Sequence, residues 1–181
     1  RTSGSGNPGL RDPARRGPDA VPRSANRSSR PVPHLLGHDR SVAIAAAAVQ
    51  HVREGMVIGL SGGTTCTELA RWLRGKPVTV VTNAINVATE LYNHSHTKVI
   101  VTGGSLNSYS YELVGDMVNH TLSEYHLDIC FVGCSGVTPD FGFSMRDGLE
   151  SAIARGFLSV SQRAIVVADH SKVGQKTLAR F

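Results

Sequence analysis

The segment Ser61-Gly62-Gly63-Thr64-Thr65 brings together the residue types that hold an anion without a metal. Gly62 and Gly63 are expected to take positive φ and let a ligand approach the backbone. The hydroxyls of Thr64 and Thr65, with the N–H groups of a helix beginning there, would point at it. Charge-assisted hydrogen bonds of this kind contribute roughly 1.5–3 kcal/mol each. A few of them, less the entropy of binding, suit a reversibly bound phosphate. The plainer alternative is that the threonines only cap the helix and the glycines only turn the chain. Lys172, in Asp169-His170-Ser171-Lys172-Val173-Gly174, is a candidate countercharge, with a plain surface lysine as the alternative. Glu150 reads as a first-turn helix acid that could also accept sugar hydroxyls.

Other chemistries fit less well. Gly59-Leu60-Ser61-Gly62-Gly63 matches the G-x-S-x-G nucleophile elbow, and Asp147 and His170 follow Ser61 in the order of a hydrolase triad. An elbow needs an oxyanion N–H from a loop after an earlier strand, however, and only a helix is expected before this one. No G-x-x-x-x-G-K-[ST] occurs, which excludes a triphosphate P-loop. Thr82-Asn83 stands where a dinucleotide site would place a ribose-binding acid. The odd set of cysteines, Cys66, Cys130 and Cys134, without a secretory signal, points to free thiols in a reducing compartment. If 126–134 is a strand, Cys130 and Cys134 lie about 13 Å apart at roughly 3.3 Å per residue. One zinc, with sulfurs at about 2.3 Å, cannot bridge them. No metal and no cofactor are expected.

The elements that must position these groups follow a repeating pattern. Nearly continuous, β-branched apolar runs occur at Met56–Leu60, Val78–Thr82, Lys98–Thr102, Ile129–Gly133 and Ala164–Ala168. Helical spacing appears at Thr64–Arg74, Ala84–Tyr92, Asp116–Glu124 and Leu149–Val160, after a first helix capped by Asp39 and closed by Gly55. Strands apolar on both faces with crossover helices predict a three-layer α/β/α domain with a mostly parallel sheet. Ligands in such sheets bind beyond the carboxyl ends of the strands. The loop 61–65, Thr82-Asn83, Gly103-Gly104, Gly133 to Gly136 and Asp169 to Lys172 all fall there. Thr82, Asn83, Gly103 and Gly104 are therefore expected to line a pocket at this rim, although each also suits a cap or a turn. Asp128, Asp147, Glu150 and Asp169 are the carboxylates expected near that rim.

The chain of 181 residues carries a formal net charge of +5, which suggests nucleic acid until it is mapped. Residues 1–40 hold eight arginines against three aspartates, whereas 41–181 hold eleven Lys+Arg and eleven Asp+Glu. Residues 1–38, rich in proline and arginine, read as a disordered basic arm or a cloning remnant, and 39–181 as the folded domain. No run of 18 apolar residues and no signal segment occurs, so a soluble, cytoplasmic protein is expected.

Taken in order, these residues resemble the effector-binding domain of the DeoR family of bacterial transcription regulators. The match runs from about Asp39 to Phe181. It is carried by Val52-Arg53-Glu54-Gly55, Ser61-Gly62-Gly63-Thr64-Thr65, Val80-Val81-Thr82-Asn83, Gly103-Gly104, Leu113-Val114-Gly115, Asp128 with Phe131-Val132-Gly133, Gly142 with Ser144, Glu150, and Asp169-His170-Ser171-Lys172-Val173-Gly174. The resemblance implies a fold similar to the ribose-5-phosphate isomerase, glucosamine-6-phosphate deaminase and CoA-transferase superfamily. It further implies no catalysis, a phosphorylated sugar or related effector, DNA contact only through a helix-turn-helix, and a homo-oligomer. Ser61 stands where the family commonly has aspartate, and Ala154 where a lysine commonly precedes Arg155. Residues 1–38 cannot form the family's winged helix-turn-helix, and Phe181 falls where the family continues with another strand, so a fragment or shortened product is expected. The alternatives are a sugar-phosphate isomerase or deaminase on the same fold and a serine hydrolase using Ser61.

Overall fold

The computed structural model describes residues 34–181; the basic arm of 1–38 falls almost wholly outside them. Five parallel strands form the central sheet: β1 (Val57–Leu60), β2 (Thr79–Thr82), β3 (Lys98–Val101), β6 (Ile129–Gly133) and β9 (Ala164–Val167), in the order β3-β2-β1-β6-β9. They are the five runs expected, each within a residue or so at its ends. Register places Gly59 beside Val81 and Cys130, so β1 lies at the centre and its carboxyl end opens in the middle of one rim.

Helices cover both faces because the strands are apolar on both. α1 (His34–Ala48), α2 (Thr64–Leu73) and α3 (Ile85–Leu91) bury Ala45, Leu69, Leu73, Val87 and Leu91 on one side, with Ile58, Leu60 and Val80 of the sheet. α4 (Asp116–Ser123) and α5 (Gly148–Ser159) bury Val118, Leu122, Ile153 and Phe157 on the other, against Val81, Cys130 and Val132. Gly59 is a glycine for this packing. A Cβ there would lie 2.8 Å from Leu127 and Phe157.

Asp39 does not cap α1. The helix begins at His34, so Asp39 lies inside it, and Gly55, at φ +80°, sits four residues past the short 3-10 turn Val49–His51 rather than at the helix end. The helix thus starts five residues before the residue taken as its cap and ends at Ala48, short of the glycine taken as its stop. Asp128 is also misplaced by the pattern. It precedes β6, at the amino end of the sheet, where its carboxylate accepts the Val57 N–H at 2.7 Å. It therefore lies opposite the ligand rim.

Two small sheets crown that rim, and neither was expected. β4 (Ser105–Asn107) pairs antiparallel with β5 (Glu112–Val114); β7 (Gly136–Thr138), β8 (Gly142–Met145) and β10 (Ala179–Arg180) form the other. Tyr111 turns the chain into β5 with φ 59°, a left-handed conformation that a bulky residue seldom adopts, and its carbonyl accepts the Ile85 N–H at 3.0 Å.

Candidate functional site

The β1–α2 loop forms the floor of the site. Gly63 is the residue before α2 and takes φ +96°, as expected; Gly62 does not have positive φ. A Cβ on Gly62 would instead collide with the Glu112 carboxyl, so this glycine makes room for a side chain of β5 rather than for a ligand. α2 has no side-chain cap, and its first intrahelical bond runs from Thr67 N–H to the Gly63 carbonyl at 3.0 Å. Among the described residues nothing accepts from the N–H groups of Thr64, Thr65 and Cys66. Neither threonine side chain caps the helix. Instead their hydroxyls reach across to Ser41 of α1, each at 3.4 Å.

These donors border a cavity of about 190 Å³ lined by Gly62 to Cys66, Gly133, Cys134, Val167 to Asp169 and Lys172. Asp169 caps the 3-10 turn His170–Lys172 by accepting the Ser171 N–H at 2.7 Å, which directs Lys172 at the cavity wall. Bonding to Ser171 holds the Asp169 carboxyl below the usual carboxylate range, with Lys172 and Arg40 adding favourable charge. Cys66, wholly buried behind the loop, has its thiol pushed up to about 12 by burial. Cys134 is raised by burial too, against the pull of Lys172. Neither thiol has the lowered pKa of an activated nucleophile.

A second cavity of about 190 Å³ shares Gly62, Gly63, Gly133 and Cys134 with the first and adds Ser61, Glu112, Ser135, Met145 and Glu150. Glu112 lines this cavity and was not among the residues expected there. Its carboxyl accepts from Asn83 Nδ2 at 3.0 Å, and burial, opposed by that bond and reinforced by the Glu150 charge, pushes its pKa up to about 7. Glu150 sits in the first turn of α5, whose cap is Asp147, and lies 3.4 Å from Asn107 Nδ2. A third, wider cavity of about 500 Å³ continues past Ser135 and Glu150 to Asn107, Arg146 and Asp147. The three adjoin along the rim through these shared lining residues, and are together termed the groove.

The expected residues divide accordingly. Ser61, Gly62, Gly63, Thr64, Thr65, Glu150 and Lys172 line the groove. Thr82, Asn83, Gly103 and Gly104 do not line these three cavities. Thr82 is fully buried with its hydroxyl accepting the Ala84 N–H at 3.0 Å, and Asn83, also fully buried, clamps the β5 hairpin through Glu112 and the Leu113 carbonyl. Gly103 and Gly104 turn the chain from β3 into β4 at φ +75° and +117°. A Cβ on Gly104 would lie 2.8 Å from the Val114 carbonyl oxygen.

The hydrolase arrangement is not formed. Ser61 is buried, its Oγ accepting from Gly133 N–H at 3.2 Å and lying 3.9 Å from Cys66 Sγ, with no histidine bonded to it among the described residues. Asp147 caps α5 by accepting from the Leu149 and Glu150 N–H groups. The three cysteines are free, and no group of three His, Cys, Asp or Glu side chains that could hold a metal occurs among the described residues. Nor is any described helix long and apolar enough to cross a membrane.

Together these features define an α/β domain with unpartnered helix-terminus N–H groups beside a cavity at the carboxyl rim of its parallel sheet. The fold is similar to that of ribose 5-phosphate isomerase A from Methanocaldococcus jannaschii, with a TM-score of 0.56, 21% identity and coverage of 76% of this chain and 55% of that one. Residues 38–181 match the DeoR C-terminal sensor domain model, and the chain belongs to that family. It is 34% identical over 140 residues to the HTH-type transcriptional regulator UlaR of Escherichia coli O1:K1, covering 77% of this chain and 55% of UlaR. It is 28% identical to the HTH-type transcriptional repressor GlcR of Bacillus subtilis, covering 76% of this chain and 53% of GlcR. The chain spans about half the length of the curated relatives it matches. Those relatives are transcription regulators, so the reading as a sensor domain, rather than an isomerase, deaminase or hydrolase, is the one supported.

Proposed function

We propose that this chain is the effector-sensing part of a cytoplasmic transcription regulator that responds to a phosphorylated sugar or related metabolite. The observation that carries this is the set of unpartnered N–H groups of Thr64, Thr65 and Cys66 facing a cavity that Lys172 also lines. The phosphate sits on Gly62, Gly63, Thr64 and Thr65, neutralised by Lys172, and the sugar extends along the groove toward Glu150. Asn83, bonded to Glu112 and the Leu113 carbonyl, and Gly104, packed on Val114, hold the β4–β5 hairpin at the rim, while Thr82 and Gly103 shape the strand ends beside it. Contact with DNA requires a helix-turn-helix elsewhere in the full protein, and paired copies of this domain transmit the signal by differential contact with the ligand in two arrangements.

The Ser41 contacts supply a route for that transmission. A phosphate competing for the Thr64 and Thr65 hydroxyls loosens their bonds to α1. Thr64→Val with Thr65→Val removes both hydroxyls while leaving the backbone, and is expected to abolish stabilisation by phosphorylated sugars in a thermal-shift screen. Equal ligand shifts in the double variant and the parent refute the cradle.

A further inference from the structure

The groove has two electrostatic poles. At one end are free N–H groups and Lys172; next to it stand Glu112 and Glu150, in the wall of the adjoining cavity. Neither carboxyl is in an ion pair among the described residues. The groups around Glu112 are the Asn83 amide from the end of β2, the Gly62 backbone, the Cys66 thiol and Glu150; Arg146 and Asp147 lie farther along, in the wall of the wide cavity. Asn83 presents its Nδ2 to both Glu112 and the Leu113 carbonyl, which fixes its amide and leaves its buried Oδ1 without a partner. That orphaned oxygen is tolerated in a geometry that keeps the Glu112 carboxyl against Gly62 of the β1–α2 loop.

We propose that Glu112 and Glu150 are specificity-determining residues: they form an acceptor pole beside the phosphate cradle and select a phosphomonoester that carries hydroxyl groups and no second anionic group. This rests on the phosphate cradle proposed above and deepens it. Hydroxyls donate to carboxylates and accept from a protonated one, so they suit either state of this pair. A ligand carboxylate brought to the same place meets like charges in a poorly hydrated wall, and must either be neutralised or be excluded. The high pKa of Glu112 has the same origin, since burial and Glu150 already disfavour a second charge there.

The test uses matched pairs that differ in one group: glycerol 3-phosphate against 3-phosphoglycerate, and glucose 6-phosphate against 6-phosphogluconate, with inorganic phosphate as the probe of the cradle alone. Affinities are measured by calorimetry on the whole chain at pH 6 and pH 8. The hydroxylated member of each pair is expected to bind more tightly than inorganic phosphate and about tenfold or more tighter than its acid at pH 8. The ratio is expected to shrink at pH 6, where Glu112 is protonated; taking the ratio cancels the second ionisation of the phosphate itself. In Glu112→Gln with Glu150→Gln it is expected to fall toward one. Because it is measured within each protein, the ratio is insensitive to a general loss of affinity, and the pH dependence of the parent answers the question if the variant does not fold. Acids bound as tightly as their partners, hydroxylated phosphates bound no better than inorganic phosphate, or a ratio unchanged in the variant each overturn the acceptor pole while leaving the cradle standing. No binding by any phosphate compound overturns the cradle, and this inference with it.

Discussion

Glu112 should leave a signature in the stability of the free protein. Its carboxyl titrates near pH 7 in the folded chain against a reference value of 4.5, a rise that corresponds to roughly 3 kcal/mol of differential interaction. Because the folded state holds the proton more tightly, the contribution is fully present below pH 4.5 and is lost as pH rises through 7. Glu112→Gln keeps the shape and the acceptor for Asn83 but cannot ionise. The unfolding free energy of the parent relative to this variant should therefore become less favourable by up to about 3 kcal/mol between pH 4.5 and pH 8, most of it lost between pH 5 and 7. Urea denaturation of both proteins at half-unit intervals measures it, and the histidines and other carboxylates cancel in the difference. A difference that does not change with pH refutes the burial of an ionisable Glu112 against the loop, and with it the account of why residue 62 is glycine.

Gly62→Ala should destabilise the parent by about 1–3 kcal/mol through overlap with the Glu112 carboxyl, but much less in a Glu112→Ala background; a double-mutant cycle reads the coupling. Asp128→Ala leaves the Val57 N–H unpaired and should cost about 1.5–3 kcal/mol in urea denaturation without altering phosphate binding, since it lies at the opposite end of the sheet. Among the thiols, partly exposed Cys134 should react with a maleimide before fully buried Cys66, and saturating inorganic phosphate should slow it because Cys134 lines the cradle; mass spectrometry of timed digests follows both sites.

The amino-acid sequence by itself determined the parallel sheet, its covering helices and the glycine-threonine loop between β1 and α2. Strands buried on both faces must be nearly continuous in apolar residues, as Ile129–Gly133 is, and the Gly63-Thr64 junction announces where β1 stops and α2 starts. Those signals are local, because burial and helix periodicity act on neighbouring residues. The crown of β4, β5, β7 and β8 was not legible, since strands of three or four half-exposed residues carry no apolar period. Nor could the limits of α1 be read, where favourable neighbours extend a helix past a capping residue. The role of Glu112 was out of reach for a deeper reason. It depends on a left-handed Tyr111, on Asn83 twenty-nine residues away, and on the bare Cα of Gly62 in a third segment. Only the tertiary structure could decide that a carboxylate on a short hairpin would be desolvated against the β1–α2 loop, because desolvation belongs to the packed assembly and not to any stretch of chain.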